Sequence, residues 1–104
     1  MPRFIATYDL KETSPPPHDE FVAQARMRGW KRWITSDGKW RELPHTAMIG
    51  SFSDRDEAVR QFEAALSRTR TKITGITHIE KRYIAAIGDG SFVSDKSALS
   101  EPPP

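Results

Sequence analysis

Asp9 is the one carboxylate in this sequence that stands where a metal could use it. It closes the run Ala6-Thr7-Tyr8-Asp9-Leu10, in which Phe4, Ala6 and Tyr8 alternate with Ile5 and Thr7 as a strand requires, and a proline-rich segment follows. A carboxylate at a strand end can ligate Mg²⁺ or Mn²⁺. A two-fold dimer would bring two such carboxylates to one phosphodiester. Aspartate in this position also caps turns and pairs with arginine or lysine, so the sequence leaves both uses open.

A second group of residues has the chemistry of nucleic-acid contact. The segment Arg26-Met27-Arg28-Gly29-Trp30-Lys31-Arg32-Trp33 mixes cations with indole rings, and Lys39, Trp40 and Arg41 follow across a turn. Guanidinium and ammonium groups neutralise phosphates, while an indole face stacks on a base of any type. Arg28, Lys31, Arg32 and Trp33 are therefore the candidate contacts to RNA or DNA. The competing reading places Trp30 or Trp33 in the core and leaves the cations as a solvated face.

The histidines His18, His45 and His78 show no paired metal-ligand spacing and read as structural or solvent-facing. Glu80-Lys81-Arg82 reads as half-exposed strand surface. The Ser-Asp pairs lack a general base in any recognised order. The absence of cysteine excludes disulfides, thiolate metal sites and cysteine nucleophiles.

These residues need a scaffold, and the chain of 104 residues has the length of one domain. With 37% apolar and 29% charged residues it can fold, but its core is modest, which makes association a source of added stability. The net charge of +2 is small for a protein that coats DNA, so any nucleic-acid binding must come from local clustering. No apolar run reaches the ~18 residues of a spanning helix, and Met1–Leu10 lacks the apolar core of a signal peptide. A soluble, cytoplasmic protein is expected, with no membrane partner.

Arg3–Leu10 is expected as the first strand. Pro15–Pro17 should be extended and lead into a helix over His18–Arg28, where Phe21, Val22 and Ala25 share a face and Gly29 stops the helix. Trp30–Thr35 reads as a short strand, Ser36-Asp37-Gly38-Lys39 as a tight turn, and the return strand begins near Trp40, breaks at Pro44 and is clearest over His45–Phe52. Ser53–Arg68 is a helix with Ser53 as its cap. Its stripe is Ala58, Val59, Phe62, Ala65 and Leu66. Thr77–Ile87 is the last long strand. The order predicts an α+β, ferredoxin-like βαββαβ sandwich with a four-stranded antiparallel sheet and two helices on one face. Residues 1–88 form this domain, and 89–104 a flexible Pro/Ser-rich tail carrying at most a short edge strand near Phe92 and Val93.

Tyr8-Asp9 after an apolar first strand, a helix ending at Gly29, and a second strand in a chain of this length resemble the small CRISPR-associated adaptation subunit of the endoribonuclease-like class. The antitoxin endoribonuclease GhoS and the VapD toxins share that plan. The resemblance covers residues 3 to 87, mostly as topology. It implies a homodimer and places Asp9 on the aspartate implicated in metal-dependent phosphodiester cleavage in some members.

Three functions compete on these grounds. The first is a homodimeric nucleic-acid-associated protein, with metal-dependent endoribonuclease activity through Asp9 as its sharper form. The second is a non-catalytic dimeric interaction or regulatory domain. The third is a small-molecule enzyme of the dimeric α+β barrel type, with Tyr8, His45 or His78 as acid/base. An enclosed polar pocket beneath the helices would favour the third, and a basic groove the first.

Overall fold

A computed structural model of the chain describes residues 1–11, 16–36, 38–73, 79–88 and 97–98. The expected strand from Arg3 to Leu10 forms as β1, with Phe4, Ala6 and Tyr8 buried on one face. Helix α1 spans His18–Met27 directly after Pro17, and buries Phe21, Val22, Gln24 and Ala25. Gly29, at φ 96°, ends it by turning the chain through a conformation that L side chains rarely adopt.

Beyond Gly29 the chain departs from the expected plan. Lys31 makes one isolated antiparallel bridge to Ile49, and the following residues leave that sheet. Trp33–Ser36 (β2) pairs instead with Lys39–Glu42 (β3), in register from Trp33↔Glu42 to Ser36↔Lys39. Gly38 sits in the turn at φ 75°. Asp37 lies outside the described residues. Pro44, which lacks an N–H, separates β3 from Ala47–Ser51 (β4), so the return strand is two strands.

Helix α2 spans Arg55–Lys72. Asp54, one residue past the expected Ser53, is its cap: the carboxylate accepts from Glu57 N–H at 2.8 Å, and Glu57 stands at the third position of a capping box. The helix runs a turn beyond Arg68, with Thr69 buried and its hydroxyl donating to Ala65 O at 2.8 Å. The last long strand, β5, spans Ile79–Ile87; Thr77 and His78 lie outside the described residues.

The main sheet has three antiparallel strands in the order β4-β1-β5. The expected four-stranded sheet is thus replaced by three strands and the Lys31 bridge. The tight turn at Gly38 draws β2 into its own hairpin before it can extend along β4. That hairpin is a separate sheet, to which Ser97–Ala98 (β6) adds by pairing with Trp40 and Arg41. Part of the expected tail is therefore strand-paired, while Phe92 and Val93 lie outside the described residues. The β1–β5 register shifts at Asp9/Leu10, which aligns Leu10 with Ile79 and lets both pack on the core.

The core lies between this sheet and the helices. Phe21, Trp30, Met48, Phe62 and Leu66 are fully enclosed, and Tyr8 and Phe52 are buried beside them. Burying apolar side chains supplies the stabilisation, on the order of 1.5–3 kcal/mol for each large one. Gly50 marks a close approach: a Cβ there would lie 2.6 Å from Gly29 O and 2.6 Å from the Phe52 ring. A smaller apolar cluster of Leu43, Ala47 and Ile49, with Ile34 and Ile87 against it, fastens the hairpin to the sheet.

Candidate functional site

The basic-aromatic run does not act as one surface. Trp30 is core, 0% exposed, with its indole N–H donating to Ala58 O at 3.3 Å. The remaining residues divide among three places. In an antiparallel pair, residues directly opposite share a face, as do residues two apart on one strand. The pairing of Thr35 with Trp40 therefore puts Trp33 and Trp40 on the same face of the hairpin. Together with Arg3, Lys31, Ile49 and Ser51 they line an open cleft of about 340 Å³. Lys31 Nζ stands 5.7 Å above the Trp40 ring, close enough for a cation–π attraction that holds an ammonium beside an aromatic floor. Trp40 belongs to this cleft as much as Trp33 does. Arg28 lies elsewhere, in a depression with Met27, Phe52, Glu57 and Gln61.

Arg32 points to a third place, where a group of residues that sequence reading kept apart comes together. Its Nη2 donates to the carbonyls of Leu43 at 3.2 Å and Pro44 at 3.3 Å, while Nη1 reaches Nε2 of His18 at 3.5 Å. The rings of His18 and His45 stack with centroids 4.2 Å apart, and Tyr8 stacks behind His18 at 6.4 Å. Burial first, then the nearby charges of His45 and Arg32, hold the His18 pKa below the usual histidine value, with Asp19 opposing. Burial pushes the Tyr8 phenol up to about 12, against the attraction of Arg32. The Tyr8 hydroxyl and Arg32 Nε are buried without a hydrogen-bond partner among the described residues.

The sequence carried a signal for this cluster. His18 follows the loop leaving β1, and His45 lies in the turn entering β4, which pairs with β1. Both must therefore lie near the end of the sheet where Tyr8 sits. A search for local ligand spacing cannot detect that.

Asp9 faces away from the helices, exposed, opposite Lys81 on β5. It lines a shallow cleft of about 260 Å³ with Thr7, Thr46, Lys81 and Tyr83. No group of three or more histidine, aspartate or glutamate side chains among the described residues is placed to hold a metal. One carboxylate opposite an ammonium does not fit Mg²⁺ or Mn²⁺ within one protomer, since such ions take several oxygen ligands. No described helix is long and apolar enough to cross a membrane.

Compared with protein families, curated proteins and solved structures, the chain matches none. Among the described residues the chain is an α+β domain with two helices, a three-stranded antiparallel main sheet and a second, smaller antiparallel sheet.

Proposed function

We propose that this protein binds single-stranded RNA or DNA in the cleft between the β2–β3 hairpin and the β4 edge, as a homodimer of ferredoxin-like domains. The observation that carries the reading is the pair Trp33 and Trp40 lining one cleft with Lys31 and Arg3. Stacking contributes about 1–3 kcal/mol per base and is tolerant of sequence, and the cations supply the phosphate contacts. The ferredoxin-like plan takes the Lys31–Ile49 bridge as the remnant of a fourth strand beside β4, giving the order of that fold. Dimerisation is supported by the open face of β1 and β5, where Tyr83 is 66% exposed beside Thr7. If cleavage accompanies binding, Asp9 is the carboxylate available to it, and a second copy would have to complete any metal site.

Fluorescence anisotropy with short labelled RNA and DNA at several salt concentrations tests the reading. Affinity should fall as salt rises. Lys31→Ala should lower both affinity and the salt slope, Trp40→Ala should weaken binding at every salt concentration, and Arg28→Ala should do little. Failure of both nucleic acids to bind at low salt would remove the proposal. Binding unchanged by Trp40→Ala would move it away from this cleft. Asp9→Asn should leave binding intact, and a cleavage activity that survives that change would exclude Asp9 from the chemistry.

A further inference from the structure

The groups around His18 are almost all potential cations or hydrogen-bond donors. Arg32 has as its partners two carbonyl oxygens and an imidazole. His18 and His45 stack face to face beside it, and a proton gained by His18 is opposed by the His45 ring and by the guanidinium. Among the described residues the acid bearing on His18 is Asp19, on its own helix; Tyr8, Arg32 and His45 face it from the other elements. His18 also opens α1, whose cap residue Pro17 makes no side-chain cap bond, so the positive end of the helix dipole adds to the same field. Tyr8, 3% exposed, stacks on His18; its hydroxyl has no partner among the described residues and feels the charge of Arg32.

We propose that Tyr8, His18, Arg32 and His45 form a binding site for a phosphoryl oxyanion, separate from the tryptophan cleft. Nη2 of Arg32 is committed to Leu43 and Pro44, so the two-pronged arginine grip that suits a planar carboxylate is blocked here. Donors arriving from separate elements, at Arg32 Nη1, His18 and His45, suit a tetrahedral anion better. Without an anion, Arg32 Nη1 donates to His18 Nε2 only while that nitrogen is unprotonated. With an anion bound, protonated His18 and His45 each donate to it and their mutual repulsion is neutralised. Binding therefore takes up protons and strengthens as pH falls. The phosphoryl group comes from free phosphate or from a phosphomonoester, which have the same donor requirements.

Imidazole NMR titration of the full chain in chloride, in inorganic phosphate and in a 5′-mononucleotide, at matched ionic strength, is the test. Phosphate should raise the titration midpoint of His18 and shift the ring resonances of His45. Calorimetry with sulfate, a tetrahedral anion that does not titrate in this range as phosphate does, should show proton uptake and an affinity roughly tenfold higher at pH 6 than at pH 8, the scale of one added charge-assisted contact. His45→Ala removes an exposed ring. It should weaken phosphate binding while raising the His18 midpoint in chloride. Arg32→Gln should abolish binding; should it also unfold the chain, His45→Ala still decides. An unshifted His18 midpoint in phosphate, or equal affinity in His45→Ala, would overturn the proposal. Binding of the mononucleotide without inorganic phosphate would show that the base, and not the phosphoryl group, is recognised. Trp40→Ala should leave phosphate binding unchanged, so the outcome is independent of the nucleic-acid reading.

Discussion

Replacing Phe62 by alanine should cost about 4–5 kcal/mol, the upper end of the range for an emptied aromatic core position. The ring is 0% exposed. It meets Phe21 edge-on at 5.1 Å, Tyr8 at 5.7 Å and Trp30 at 6.3 Å. Arg82, which also pairs with Glu63, lies 5.9 Å from its centroid. Three rigid rings cannot collapse into the space as aliphatic chains would, so the cavity persists. Each lost edge-to-face pair adds roughly 0.5–1.5 kcal/mol to the area term. Urea unfolding followed by circular dichroism, at fixed protein concentration, reads the effect. With a slope of about 1–3 kcal/mol/M, the midpoint should fall by roughly 1.3–5 M. Phe62→Leu fills much of the volume and should cost under about 1.5 kcal/mol. A loss below about 1 kcal/mol for the alanine variant would mean that α2 does not lay this stripe on β1, and the core described above would be wrong.

Gly50→Ala should destabilise by about 1–3 kcal/mol, because its Cβ would meet backbone at Gly29 O as well as the Phe52 ring; a neutral thermal shift would refute that close approach. Alkaline absorbance titration should show one phenol ionising near pH 12, abolished by Tyr8→Phe. The unfolded phenol ionises near pH 10, so the contribution of Tyr8 is complete below that value and is lost as pH rises from about 10 to 12. For His18 the sign reverses: its folded pKa is depressed, so stability is lost as pH falls below the ordinary histidine value of about 6.5, and His18→Gln should flatten that slope. Sedimentation equilibrium at micromolar concentration should give a dimer of the 11.8 kDa chain, and Tyr83→Lys should shift it towards monomer; a wild-type monomer would exclude the homodimer.

The elements whose signals are local were legible. β1 matches its expected bounds because alternation and the following prolines both define it; α1, bracketed by Pro17 and Gly29, starts where expected and ends one residue early, at Met27. Ser53 and Asp54 are adjacent residues of equal capping ability, and only the position of Glu57 three residues beyond Asp54 separates them. What could not be read was which way each residue of the Arg28–Trp33 stretch turns. Helix end, bridge and strand succeed one another within it, so its side chains depart in different directions. Trp30 and Trp33 have the same chemistry, and one is core while the other lines a cleft. The His18–His45 stack depends on the pairing of β1 with β4, which no local pattern encodes.

The single bridge from Lys31 to Ile49 has a consequence for hydrogen exchange. Its two backbone bonds, at 2.7 and 2.8 Å, and the small cluster around Ile49 fasten the hairpin to a sheet whose central strand is bonded on both sides. Amides of β2 and β3 should therefore exchange through a partial opening that leaves β1 protected, whereas β1 amides should exchange only with global unfolding. The Trp33–Trp40 cleft straddles that seam. A molecule seated in it would have to be released before the hairpin could lift, so binding would register as slowed exchange in β2 and β3 while β1 kept its rate.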